Sequence, residues 1–305
     1  MTEAVHSSNM TADKPSSQWR DVWRQFRSHR GALLGLVIFA IILLGVIVGP
    51  HVWKFDPTYV DIRARNSGPT WAHPFGTDQL GRDLMARMMA GGQVSLAVGM
   101  TAMALSIVLG TVIGVVAGFF RRADGVLMRL TDLFLALPLL PLLLVMVMLF
   151  REPLARNFGP ETGIFILMVV AIGATSWMQT ARIVRGDVLA LKEREFVLAA
   201  RSIGTTPAKT IIRHILPNTL SPIMVSATLG IANAIITESS LSFLGLGFPP
   251  DFATWGRLLY DAVDQIQLYP LRVILPGAAI SLTVLSVNYI GDGLRDALDP
   301  RIRGR

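Results

Sequence analysis

The chain has 305 residues, of which 52% are apolar and only 16% charged, a balance that points to a membrane protein rather than a set of soluble domains. It contains no cysteine, which excludes a disulfide framework and a Cys-ligated metal. The net charge of +7 is accounted for by membrane topology, so no nucleic-acid partner is needed.

Six uncharged runs, Gly31–Pro50, Gly91–Phe120, Leu133–Phe150, Thr162–Ala181, Ile215–Thr237 and Val273–Gly291, are each long enough for a helix across a hydrocarbon core of about 30 Å. They predict an all-α polytopic membrane protein. Gly35, Pro138, Pro141 and Pro276 lie inside these runs, where neighbouring helices can satisfy the freed backbone groups. Nineteen of the 28 lysines and arginines fall on one side of six spans and nine on the other. The excess of positive charge predicts that the first side, with both termini, is cytoplasmic.

In chain order, residues 1–30 form a polar tail and an amphipathic helix: over 16–30, Trp19, Val22, Trp23 and Phe26 share one face and Arg20, Arg24, Arg27 and Arg30 the other. An anchoring elbow is the expectation, with a lipid-sensing helix as the sharper alternative. The lead is too long and hydrophilic for a cleaved signal peptide and no A-x-A site closes the apolar run, so the first span, 31–50, is expected to stay. The extracytoplasmic segment 51–90 contains His73–Asp83, HPFGTDQLGRD. Gly76, Gly81, Thr77, Asp78 and Asp83 suit turns and caps. Asp78 and Asp83 could also be read as calcium ligands, but the twelve-residue loop pattern ending in glutamate is missing.

A core of five spans over 91–291 follows. Gly110, Gly114 and Gly118 recur every four residues, a stripe that lets another helix approach closely, within the chain or in another subunit. Asp132 at the mouth of the third run is expected to help start its helix, and Pro138 with Pro141 to bend it. Next comes a charged loop, 182–217. In Lys192–Pro217, apolar residues alternate with Glu193, Arg194, Glu195 and Arg201; Gly204 ends a first helix and Thr206-Pro207 starts a second towards Leu216. A solvated loop is the plain reading of this stretch. Glu238 lies in an apolar context in the fifth run, where an ionised side chain costs about 2.5–3.5 kcal/mol and so faces protein or water. It either lines a path or bonds to a neighbouring helix. Residues 251–264 allow a short re-entrant or interfacial helix. Asn288 in the last run is expected to bond across helices or line a path, and 292–305 form a cytoplasmic tail.

Enzymatic chemistry is missing from the sequence. There is no G-x-x-x-x-G-K-S/T phosphate loop, no H-E-x-x-H helix, no G-x-S-x-G elbow, and His6, His29, His51, His73 and His214 form no ligand pattern. No catalytic or metal-binding residue is predicted. A proton-coupled transporter using Glu238 remains the competing class, although no matching pair of broken helices marks an inverted repeat.

Together, Lys192–Pro217, the GTDQLGRD stretch of Gly76–Asp83, SLSFLGLGFPP over Ser240–Pro250 and GDGLRDALDP over Gly291–Pro300 resemble the dipeptide/oligopeptide/nickel branch of bacterial ABC importer permeases, over roughly Trp19 to Arg303, and within it the second of two related membrane subunits. The resemblance implies the six-span type I importer fold in the inner membrane. It also implies a heterodimer with a second permease subunit, an extracytoplasmic substrate-binding protein and two ATPase subunits that bind the ATP and magnesium absent from this chain. It further implies that the cytoplasmic loop carries a helix coupling to the ATPase. Ala199, Ala200 and Gly204 match the family motif, as do Leu216 and Pro217. Leu198 stands where the motif has glutamate, and Glu195, on nearly the same helical face, is its candidate replacement. Glu195, Phe196, Leu198, Ala199, Ala200, Arg201, Gly204, Leu216 and Pro217 are thus the expected coupling residues. Arg194 and Lys209 are further polar contacts, and Ile203 a further apolar one. The substrate, among peptides, glutathione, nickel complexes and opines, is set largely by the binding protein.

Overall fold

The computed structural model describes residues 18–298, and among them it contains helices and no strand. Residues 1–17 and 299–305 of the expected tails, and the side chain of Trp19, lie outside the described residues. Among the described residues, five helices are long and apolar enough to cross a membrane, and a bent pair makes a sixth crossing if it is one span.

The first helix, α1 (Gln18–Ser28), leads into α2 (Arg30–Val52), whose N-cap His29 accepts a hydrogen bond from the Ala32 amide at 3.0 Å. The apolar face of α1 is covered largely by protein. Val22 and Phe26 pack with Ala32, Ile290, Leu294 and Ala297, while Trp23 remains exposed.

The second crossing, α3 (Leu84–Phe119), begins well before the expected Gly91, because the Asp83 carboxylate caps it by accepting from the Ala86 amide at 2.7 Å. The third apolar run departs most from the expectation of one helix over 133–150. It consists of α4 (Arg121–Ala136) and α5 (Leu139–Phe158), bent by 88°. Pro138 has no N–H to donate and holds Leu137 extended, at φ −75° and ψ 136°, so the helix stops and restarts in a new direction. Pro141 sits in the first turn of α5, where no hydrogen bond is lost. Asp132 therefore does not start a helix; it lies inside α4, paired with Arg182 of the helix that follows α5.

That helix, α6 (Pro160–Leu191), runs past the expected end at Ala181. The charged loop begins only after Leu191, because Val184 and Val188 still have a surface to bury: they pack with Val115 of α3. Arg185 reaches Asp124 of α4 at 2.8 Å. The glycine stripe lies at this contact. A Cβ at Gly110 would stand 2.7 Å from the Trp177 carbonyl, one at Gly114 2.6 Å from that of Ala181, and one at Gly118 2.7 Å from the Val188 Cβ. The stripe thus joins α3 and α6 of the same chain.

A short α7 (Glu195–Ser202) and α8 (Pro207–Thr210) come next, then a wide turn over Ile211–Ile215 and a tight one over Leu216–Asn218. The fifth crossing, α9 (Leu220–Phe243), starts after the expected Ile215 because Pro217 interrupts the ladder, and it continues past Thr237. Residues expected as a short interfacial helix form α10 (Trp255–Val263), capped by Thr254. The last helix, α11 (Leu271–Leu298), does not break at Gly291. Its final turns carry the Ile290, Leu294 and Ala297 face that α1 covers.

Candidate functional site

At the end of the bundle where α3 and α6 finish, Lys192–Asn218 forms a two-helix projection. Its conformation follows from Gly204, whose φ of +81° is one that side chains disfavour. The Gly204 amide donates to the Arg201 carbonyl at 2.9 Å and the Thr205 amide to that of Ala200 at 3.1 Å, the paired bonds that terminate a helix at glycine. One face of α7 anchors it. Val197 and Ala200 are buried, and Val197 packs with Val184, Val188, Ile215 and Ile223. Leu216 is half-buried against the same cluster, and the Arg201 guanidinium lies 5.0 Å from the Phe119 ring centre. The Lys192 ammonium donates to the Gly118 carbonyl at 3.1 Å.

The other face is open. Glu195, Ala199 and Pro217 are exposed, as are Phe196 and Leu198, at 44% and 43%, and Ile203, at 84%. The two motif alanines thus divide the work: Ala200 seats the helix and Ala199 faces outward. Apolar side chains left open on either side of a short helix whose inner face is seated, beside the exposed Arg194, Glu195 and Lys209, make a surface suited to a protein cleft.

Glu238 occupies a different environment. Its side chain is wholly buried and accepts hydrogen bonds from the hydroxyls of Ser95 at 3.0 Å and Ser242 at 2.7 Å. The Ser95 oxygen in turn accepts from the Trp255 amide at 3.2 Å. One carboxylate therefore ties α3, α9 and the start of α10 together. Asn288 is half-buried on α11 and has no side-chain partner among the described residues.

Between the α4–α5 bend, α6 and α9 lies a cavity of about 340 Å³. Neither Glu238 nor Asn288 lines it. Gln179 of α6 and Asn233 of α9 do, with Thr175, Ser176, Thr180 and Thr237. Sequence reading missed this pair, although the signal that singled out Asn288, an amide in a run without charge, applies equally to both.

At the opposite end, Asp78 is the hub of a buried ion network. Its carboxylate accepts from Arg82 Nε at 2.7 Å and from Arg87 Nη1 at 2.6 Å. The amides of Leu80 and Arg82 also donate to it. Burial pushes this carboxyl up, but the Arg87 and Arg82 guanidiniums and the Arg82 hydrogen bonds outweigh that and hold it below its ordinary value. Asp83 accepts from the Trp53 indole at 2.9 Å and meets His73 at 2.8 Å. With the Asp78 and Asp83 oxygens committed to donors, the stretch is a built turn, and a cavity of about 580 Å³ opens between it and α10.

Residues 106–304 match the family described as binding-protein-dependent transport system inner membrane component, and residues 17–69 match the N-terminal membrane domain of oligopeptide transport permease C. The oligopeptide transport system permease protein OppC of Bacillus subtilis is 38% identical over 95% of this chain and 92% of its own length. A Brucella suis protein provisionally named as a peptide permease is 42% identical over 91% of this chain and 89% of its own. A solved structure described as an amino acid ABC transporter with histidines aligns with a TM-score of 0.49 and 18% identity, covering 70% of this chain and 92% of that one.

Proposed function

The chain belongs to the binding-protein-dependent transport system inner membrane component family of ABC permeases, a multi-pass inner-membrane protein, and from this premise we propose that it is the membrane-spanning permease subunit of an ATP-driven importer of peptides. It forms the path with a second permease subunit, receives substrate from an extracytoplasmic binding protein and is driven by two ATPase subunits. Both termini and Lys192–Asn218 face the cytoplasm, on the charge count.

The observation that carries the reading is the two-sided α7. A chain without a phosphate loop needs its energy from outside, and α7 presents Phe196 and Leu198 outward, with Ile203 at its C-terminal cap, while Val197 and Ala200 fix it to α6 and the turn before α9. Such a fixed element can pass an ATPase motion to the spans. Peptides as the substrate class rest on the names of the relatives. No metal or cofactor is assigned to this chain itself; ATP and magnesium belong to the ATPase partners.

The test is ATP-dependent uptake of a labelled tripeptide into proteoliposomes holding both permeases and the ATPases, with the binding protein added outside. Uptake that needs internal ATP and survives an uncoupler is the expected result. Uptake that collapses with the uncoupler at constant ATP would instead favour a proton-coupled mechanism through Glu238.

A further inference from the structure

We propose that Gln179 and Asn233 are the residues of this chain that hydrogen-bond the backbone of a passing peptide, in a wall that is blind to side-chain charge; the proposal rests on the importer reading above. The cavity they line contains no Asp, Glu, Lys, Arg or His. Its hydroxyls are largely committed. Thr175 donates to the Ala171 carbonyl at 2.8 Å, Ser176 to that of Ile172 at 2.7 Å, Thr237 to that of Asn233 at 2.8 Å, and Thr180 bonds Ser226 at 3.0 Å.

Gln179 and Asn233 differ from these. Both side chains are exposed, and neither has a hydrogen-bond partner among the described residues. An amide left open in the middle of a span is tolerated only where it meets water, protein or a ligand. Each carboxamide offers a donor and an acceptor, the same pair that every peptide unit presents. Two such groups on facing helices, α6 and α9, can pair with a peptide backbone whatever its side chains are. The uncharged wall adds no Coulombic preference for acidic or basic residues, since no fixed charge stands within the cavity. Selection among peptides then falls to the binding protein, and the path itself stays permissive.

The experiment uses the reconstituted importer with saturating binding protein loaded with Ala-Ala-Ala, Ala-Glu-Ala or Ala-Lys-Ala. For Gln179→Leu and Asn233→Leu, uptake of all three falls by about tenfold, the effect of a lost hydrogen bond. ATP hydrolysis stimulated by the loaded binding protein stays near wild type. For Asn233→Asp, uptake of Ala-Glu-Ala falls by about tenfold against Ala-Lys-Ala, because a fixed negative charge now stands in the path. Unchanged uptake in both leucine variants overturns the proposal. So does loss of the second permease subunit or of ATPase stimulation in those variants, which makes the two amides subunit contacts instead. If the wild-type importer shows no ATP-dependent uptake of any of the three peptides, it is the importer reading that fails.

Discussion

The carboxylate of Asp78 lies 2.6 Å from the Arg87 guanidinium, which is 1% exposed and reaches Asp261 of α10 at 3.5 Å with its other nitrogen. A loop residue thereby fixes the start of α3 and, through it, α10. Removing Asp78 leaves the buried Arg87 charge with only the longer contact to Asp261, which costs about 3 kcal/mol or more. Asp78→Ala is expected to lower the unfolding midpoint in detergent by more than about 5 °C. Asp78→Asn keeps the shape and loses the charge. Because the folded carboxyl titrates below its ordinary 3.8, its contribution is complete above that value and is lost as pH falls through the lower, folded one. Wild type and Asp78→Asn should therefore differ at neutral pH and converge in acid. Parallel curves across that range would remove Asp78 from the account.

The α3–α6 contact yields a second expectation. A Cβ at Gly110 or Gly114 points at backbone carbonyls that cannot swing aside, so even alanine forces the helices apart, at about 1–3 kcal/mol. Nothing lies within 4 Å of the Cβ position of Gly125 in α4, and alanine there is expected to stabilise by about 0.5–1 kcal/mol, as for glycine in any helix interior. Folded yield, measured as the monodisperse fraction after extraction, should fall for Gly114→Ala and hold for Gly125→Ala. Equal yields would mean the stripe is not a close contact.

Glu238 separates a structural tie from a proton carrier. Glutamine can still accept from Ser95 or Ser242 and fills the same space, whereas Glu238→Leu leaves buried hydroxyls without their acceptor, each worth about 1–3 kcal/mol. Stability is expected to fall clearly for Glu238→Leu and little for Glu238→Gln. Uptake by Glu238→Gln should persist, which a proton carrier at this position could not allow.

Five of the crossings were legible because a span is a property of composition: an uncharged run of the right length has few other fates. Their ends were not. Val184, Val188 and Leu294 prolong helices beyond the last apolar run because neighbouring helices cover them, and such cover is a long-range fact. The same distance in sequence hid the Arg182–Asp132 and Arg272–Asn66 pairs. Pro138 marked a bend, but its angle depends on what α4 and α5 each pack against. On the projection, Gly204 and the alanines were readable, since glycine at positive φ has a local cause. Which alanine faces outward required the fold.

Gly204 supplies the last expectation. Its N–H donates to Arg201 and its φ is +81°, whereas proline has no N–H and holds φ near −65°. Gly204→Pro therefore undoes the turn that orients α7 against α8, without touching a span. Gly204→Ala meets open space and costs only about 1–2 kcal/mol for the left-handed backbone. Ala200→Asp places a carboxylate on the buried face of α7, on the side of Val184 and Val188, and should lift the helix from its seat. All three variants are expected in the membrane fraction at near-normal levels. Peptide uptake and stimulated ATP hydrolysis should be lost in Gly204→Pro and Ala200→Asp and largely kept in Gly204→Ala. If Gly204→Pro transports as well as Gly204→Ala, the fixed geometry of α7 has no part in coupling, and the exposed Phe196, Leu198 and Ile203 face needs another purpose.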